Sequence, residues 1–321
     1  MIVRWGLGEL AGLLGELGAA RPFVFASPRW LELPLRAHGR WSELPSDRIS
    51  EIVVATAGAD VLVALGGGST IDTGKAVSAE TSLPLVSIPT TYSGAEWTAF
   101  YGVRDSDRRM RGGGAGARLA GIVYDPELTL ELPRAETVGT ALNALAHCAE
   151  ALYVRERNDG ADRHALEGAR LIATWLPRVV ADEGERLEAR TELLRGACEA
   201  GAALAGSMLG LGHAMAQALG GRYGVSHGAL NALCLPPALR FNAEAAPVAV
   251  ARFAQAIGAD DPAARVEELA RLAGIVRLRD LGVPESELEE VAEAVIVRAG
   301  ARSNPREATA AEVTELLRSI W

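Results

Sequence analysis

The chain is poor in cysteine, in histidine and in long apolar runs, and each shortage removes a class of protein. Three cysteines in 321 residues, Cys148, Cys198 and Cys234, are odd in number and widely spaced. They exclude a disulfide framework and argue against a cysteine-built zinc site, leaving buried free thiols as the expectation. The longest uncharged stretches are rich in Gly, Thr and Ser rather than continuously apolar, so no membrane span is expected. The opening Met1-Ile2-Val3-Arg4-Trp5-Gly6 lacks a basic segment followed by an apolar run and a cleavage site, which leads us to expect a cytoplasmic protein. Lys and Arg together number 32 against 41 Asp and Glu, a net charge of −9 that disfavours nucleic acid and anionic lipid as partners. An anionic substrate would therefore have to be held by local basic groups.

What is present first suggests two domains, because the chain exceeds the size at which one core stops growing. In the first third, apolar strand-like runs alternate with helical stretches. Phe23-Val24-Phe25-Ala26, Asp60 to Leu65, Leu85 to Pro89 and Gly121 to Tyr124 read as buried strands, and Trp41 to Ala57 as a helix. Strands separated by helices imply a parallel sheet. Beyond Leu132-Pro133, Ala, Leu, Glu and Arg dominate in periodic stretches such as Asp162 to Val180 and Arg186 to Ala205. The expectation is an α/β dinucleotide-binding domain over 1–133 and an all-helical domain over 134–321. Gly112 to Gly116 lies in a low-complexity patch, Arg108 to Ala117, expected to be a mobile loop.

The sharpest local signal is Ala64-Leu65-Gly66-Gly67-Gly68-Ser69-Thr70-Ile71-Asp72-Thr73-Gly74-Lys75. A buried strand feeding three glycines and a Ser/Thr-led helix gathers backbone N–H groups at a positive helix end, as a pyrophosphate requires. A plain strand-to-helix turn also favours Gly and Ser, and the run fits neither the P-loop nor the usual GxGxxG fingerprint.

This run resembles the GGGSxxDxxK signature of the iron-containing alcohol dehydrogenases, and Ile88-Pro89-Thr90-Thr91-Tyr92-Ser93-Gly94-Ala95-Glu96-Trp97-Thr98 resembles that family's second nucleotide loop. Together with Tyr124-Asp125-Pro126-Glu127-Leu128-Thr129 and Asn143-Ala144-Leu145-Ala146-His147, the motifs are most similar to the maleylacetate reductase branch, whose likeness extends to Asp280-Leu281-Gly282-Val283-Pro284-Glu285 and Asn304-Pro305-Arg306. The resemblance implies a dehydroquinate synthase-like fold and a homodimer. It also implies cofactor contacts from Gly66, Gly67, Gly68, Ser69, Asp72, Thr90, Thr91 and Ser93. No acid follows Phe25-Ala26 (the next residues are Ser27-Pro28-Arg29), so NADH and NADPH are both admissible.

Of five histidines, His147, His213 and His227 fall inside family motifs, whereas His38 and His164 match none and are expected at the surface. Asn143 and His147, four apart, share a helical face. In metal-dependent relatives an Asp and three His at these positions hold a divalent ion. Here Asn143 replaces the Asp, leaving a dication without a charged ligand, so a required metal is not expected; if one is bound, its ligands are His147, His213 and His227 with Asn143. Without metal, these histidines are the candidates to stabilise and protonate a developing oxyanion, and an imidazolium near neutrality would also help to bind a dicarboxylate. Asn143, Tyr92 and Arg222 are candidate substrate contacts. Where the branch often has a His-His pair and a further His four residues on, this chain has Gly212-His213 and Gln217, and Arg111, Arg118 and Arg222 are the candidate replacement cations.

The expected activity is NAD(P)H-dependent reduction of an unsaturated keto-diacid, maleylacetate to 3-oxoadipate, by conjugate hydride addition or by carbonyl reduction and tautomerisation. Its rivals are a metal-assisted alcohol or aldehyde oxidoreductase, a dehydroquinate synthase-like lyase, and a scaffold that binds nucleotide without chemistry.

Overall fold

The structure, a computed structural model, describes residues 1–30, 36–181 and 186–321. The chain divides into two compact units, one formed by Met1–Thr91 with Ala95–Glu131, the other by Tyr92–Gly94 with Leu132–Trp321.

In the first unit the elements run β1 (Ile2–Trp5), α1 (Leu10–Glu16), β2 (Pro22–Ala26), β3 (Gly39–Trp41), α2 (Ile49–Ala55), β4 (Val61–Gly66), α3 (Gly68–Thr81), β5 (Pro84–Pro89), β6 (Tyr101–Arg104), β7 (Met110–Gly114) and β8 (Arg118–Tyr124). Six strands form one all-parallel sheet in the order β1-β8-β5-β4-β2-β3. The period-2 alternation of β2 and β4 divides the core between the two faces. Val24, Val61, Val63 and Leu65 pack with Leu10 and Leu13 on one face, and Phe23, Phe25, Leu62 and Ala64 with Ile52, Ile71 and Val77 on the other. Every residue of β4 is buried, which is why the sequence shows it as a continuous apolar run. Because β2 leads outward to β3 while β4 and β5 lie on its other side, the carboxyl ends of β2 and β4 flank a topological switch point, where open α/β sheets bind ligands.

Three features depart from the sequence expectations. The helix expected from Trp41 begins only at Ile49, because Gly39–Trp41 is recruited as an edge strand beside β2. The glycine-rich patch is not a loop: Met110–Gly114 pairs antiparallel with Tyr101–Arg104. The partner strand supplies the ladder that glycine propensity alone disfavours, and the Tyr101 ring lies where a Cβ on Gly114 would sit, 2.7 Å from its hydroxyl oxygen. Finally, Ile2–Trp5 forms an unanticipated edge strand against β8.

The second unit is helical throughout its described residues: α4 (Arg134–Tyr153), α5 (Asp159–Ala181), α6 (Arg186–Ala205), α7 (Leu211–Tyr223), α8 (His227–Asn242), α9 (Pro247–Ala256), α10 (Pro262–Arg271), α11 (Leu288–Ile296), α12 (Ala299–Ser303) and α13 (Ala310–Ser319). Helix α4 is buried over most of its length, which makes it the axis of this unit. Where α8 crosses it, a Cβ on Gly228 would lie 2.5 Å from the Gly139 carbonyl carbon. Only glycine permits that approach, and it brings the start of α8, with His227, against the α4 turn that precedes Asn143.

Candidate active site

The first unit builds an anion cradle. Helix α3 begins after Gly67, whose backbone is extended and which no side chain caps, while the amides of Thr70 and Ile71 turn back to the Gly67 carbonyl. The first-turn amides at Gly68 and Ser69 thus sit at an uncapped positive helix end. Thr90 and Thr91 close over the turn from β5. The Thr90 amide donates to the Gly66 carbonyl at 3.0 Å, and a Cβ on Gly67 would come within 3.0 Å of the Thr91 methyl. One helical turn further on, Gly74 lets α3 settle on the sheet, since a Cβ there would lie 3.1 Å from Ala64. A nicotinamide dinucleotide fits this arrangement through its diphosphate.

Asp72, expected to contact cofactor, is otherwise engaged. Its Oδ1 pairs with the fully buried Lys75 ammonium at 2.8 Å, and its Oδ2 accepts from the Gly102 amide at 3.2 Å. Lys75 in turn donates to the Phe100 carbonyl at 2.6 Å. The Asp-x-x-Lys part of the motif therefore fastens α3 to the strand β6, because a buried ammonium needs a counter-charge and acceptors more than the turn needs another anion. In the same unit a buried relay runs from the Trp97 indole N–H to the Tyr124 hydroxyl (2.7 Å) and from that hydroxyl to Glu96 Oε1 (2.6 Å). Glu96 Oε2 has no partner, and burial holds this acid's pKa above the usual carboxylate range.

The second unit gathers the three motif histidines on three helices. His147 from α4 and His213 from α7 stack with ring centroids 4.7 Å apart and planes 14° from parallel, and His227 at the start of α8 lies 5.8 Å from His213. Asn143 sits among them: its Nδ2 donates to the Ser93 carbonyl at 2.9 Å, and its Oδ1 is 3.3 Å from His213 Nε2. Two residues missed by the sequence reading complete the cluster. Asn231, one turn after His227, donates through Nδ2 to Asn143 Oδ1 at 2.6 Å and lies 3.0 Å from His227 Nε2. Glu150, one turn after His147 on the same face of α4, is fully buried and accepts from His213 Nδ1 (2.6 Å) and from the amides of Gly210 (2.6 Å) and His213 (3.0 Å). The i, i+3 spacing of His147 and Glu150 was the available signal for the latter.

Several expected roles change. The imidazolium expected of His147 gives way, because burial, reinforced by the neighbouring His213 and His227, pushes its pKa well below the usual histidine value. Tyr92, expected to meet substrate, is fully buried; its amide donates to Thr140 Oγ1, and its hydroxyl accepts from Arg190, a buried cation that also donates to Thr137 Oγ1 and the Leu132 carbonyl. It anchors the tripeptide Tyr92-Ser93-Gly94 rather than offering a polar tip. Ser93 belongs to the helical unit, where its carbonyl holds Asn143. Arg222 is exposed and committed to Glu287 and Glu290, Arg111 pairs with Asp105, and Arg118 donates to the Ser82 carbonyl. The cations expected to replace the two missing histidines are thus spent on local acceptors. His38 and His164 are exposed, as expected.

The histidine cluster offers a divalent cation no charged ligand. Among the described residues no group of three or more His, Cys, Asp or Glu side chains is arranged to hold a metal. Its one carboxylate, Glu150, is turned to the far nitrogen of His213, and Asn143 Oδ1 already accepts from Asn231. A ligating imidazole also needs an acceptor for its other N–H, and buried His147 Nδ1 has none.

Residues 42–145 match the iron-containing alcohol dehydrogenase family, and residues 137–321 the C-terminal part of the Fe-containing alcohol dehydrogenase family. Maleylacetate reductase of Burkholderia cepacia is 38% identical over 97% of this chain and 93% of its own length. Among solved structures, an alcohol dehydrogenase described as putative from Ralstonia eutropha JMP134 superposes with a TM-score of 0.91 at 34% identity, covering 100% of this chain and 95% of its own. Maleylacetate reductase from Agrobacterium tumefaciens superposes with a TM-score of 0.89 at 31% identity, with 100% and 95% covered. With its glycine turn, its Thr-Thr loop and its clustered histidines in family order, the chain belongs to the iron-containing alcohol dehydrogenase family of oxidoreductases.

Proposed function

We propose that this oxidoreductase reduces maleylacetate to 3-oxoadipate with NADH or NADPH. The observation that carries the reading is the 38% identity to the Burkholderia cepacia maleylacetate reductase along 97% of the chain. The chemistry is consistent with the site. When bound, the nicotinamide supplies a hydride. The uncapped amides at Gly68 and Ser69 hold the diphosphate, with Gly66 and Gly67 leaving room for it and Thr90 and Thr91 alongside. The imidazoles of His147, His213 and His227 are the groups that would stabilise the oxygen that gains charge as the carbon–carbon double bond conjugated to the ketone is reduced. The absence of an acid after β2 is compatible with either nicotinamide.

The reaction is expected to proceed without a metal, because the donor set lacks a charged ligand. The metal-assisted alcohol or aldehyde oxidoreductase is correspondingly the weaker reading. Loss of reduced nicotinamide absorbance with maleylacetate tests the assignment, and absence of turnover with both nicotinamides would remove it. Turnover unaffected by a chelator, with sub-stoichiometric metal in the purified protein, is expected. Among the described residues no helix is long and apolar enough to cross a membrane; we further infer a cytoplasmic homodimer that takes a small dicarboxylate and no nucleic acid, with sedimentation giving the oligomeric state.

A further inference from the structure

The two stacked imidazoles differ in what surrounds their nitrogens. His213 presents Nδ1 to Glu150, a carboxylate already accepting two backbone amides and able only to accept, so the ring carries hydrogen on Nδ1. His147 is the reverse. Its Nδ1 is buried with no partner, and the reason is local: Gly94, at φ +73°, lies against it so closely that a Cβ there would be 3.3 Å from Nδ1. A hydrogen on that nitrogen would be a buried donor with no acceptor, which folded proteins avoid more strictly than an under-used acceptor. The hydrogen belongs on Nε2, which is bonded to no protein group among the described residues and is not among the sealed atoms.

We propose that His147 is a neutral Nε2–H imidazole whose role is to donate a hydrogen bond to the oxygen that becomes an enolate, without giving up its proton. The proposal rests on the maleylacetate reading for the identity of that oxygen. In the reaction, hydride from NAD(P)H forms a new C–H bond at the double-bond carbon distal to the ketone, the π electrons shift towards the ketone, and its oxygen takes the negative charge. His147 Nε2–H stabilises that charge while the N–H bond stays intact. The enolate then re-forms the ketone as the adjacent carbon takes a proton from water, so that one NAD(P)H and one proton are consumed in all. A neutral donor suits this task, since an imidazolium would be drawn into proton transfer and would place a second hydrogen on the buried Nδ1, which has no acceptor. Glu150 is the positioning residue of the pair: by accepting from Nδ1–H of His213 it fixes the orientation of the ring stacked on His147.

Two measurements test this. Histidine-selective 15N labelling of the ligand-free enzyme, with resonances assigned through His147→Gln and His213→Gln, should show a protonated Nε2 and bare Nδ1 for His147, and a protonated Nδ1 for His213. A protonated Nδ1 on His147 would overturn the assignment whatever the substrate. Glutamine places an N–H close to the position of Nε2, so His147→Gln should retain a substantial part of kcat with maleylacetate while His147→Ala loses roughly 10²- to 10³-fold, the usual cost of removing an oxyanion donor. Equal loss in both variants, with nucleotide titration and melting temperature unchanged, would mean that proton transfer rather than hydrogen bonding is required and would also overturn it. Failure of the wild-type enzyme on maleylacetate would remove the substrate reading alone and leave the tautomers to the 15N spectrum.

Discussion

Replacing Gly67 by alanine separates a nucleotide cradle from an ordinary strand-to-helix turn. The backbone at Gly67, φ −78° and ψ −176°, is open to any residue, so alanine introduces no dihedral strain and restricts the unfolded chain, a gain of about 0.4–1 kcal/mol. Against this, its Cβ would come 3.0 Å from the Thr91 methyl, a contact relieved by a few tenths of an ångström of side-chain movement. The net change in stability should stay within about 1 kcal/mol. For a diphosphate the added methyl stands in the approach to the α3 amides. Losing one charge-assisted hydrogen bond costs about 1.5–3 kcal/mol, which weakens binding roughly 10- to 150-fold. Quenching of tryptophan fluorescence on titration with NADH and NADPH reads the dissociation constant, and a thermal melt of the same sample reads the stability. A dissociation constant within threefold of wild type at an unchanged melting temperature would refute the cradle. Gly66→Ala is not diagnostic, because its Cβ would meet Thr70 Oγ1 at 2.6 Å and disturb the fold itself.

Asp72→Asn should strand the buried Lys75 ammonium and destabilise the first unit by about 3 kcal/mol, lowering the melting temperature by several degrees; the double variant Asp72→Asn, Lys75→Met should recover much of the loss, and a double variant no better than the single one would contradict the latch. Glu150→Gln should cost about 2–3 kcal/mol, since one amide oxygen must replace two carboxylate oxygens that accept three donors; thermal melting reads this, and a cost near zero would deny Glu150 its place. For His147 the sign follows from a folded pKa below the unfolded value of about 6.5: between the two the unfolded chain binds the extra proton, so the contribution to stability is complete above about pH 6.5 and declines as the pH falls below it. The melting temperature of wild type minus that of His147→Gln should therefore decrease from about pH 7.5 to about pH 5.5, and a difference independent of pH would mean that the ring is not held neutral.

How much of this was legible in the sequence depended on whether the deciding partner was near in the chain. β4 and its glycine turn are a local event, an uncharged run of branched residues stopped by three glycines, and they read correctly. So did the helical second half, whose periodicity is carried by each helix alone. The strands at Ile2–Trp5 and Gly39–Trp41 were invisible because each is short and takes its hydrogen bonds from a strand met only after folding. The hairpin of Tyr101–Arg104 with Met110–Gly114 was concealed by its glycines, whose missing side chains leave room for Tyr101. At the site, the motif located the histidines but not their wiring. That His147 is shut against Gly94, that Tyr92 is spent on Arg190 and that Asp72 answers to Lys75 are consequences of burial, and burial is not written in a motif.

Lys75 is the only lysine in the chain, and only 1% of its surface is exposed. The folded protein consequently offers no ε-amine to acylating or cross-linking reagents. Any acylation of Lys75 would record the moments when α3 lifts from β6, making that side chain a built-in clock for the opening of the sheet unit.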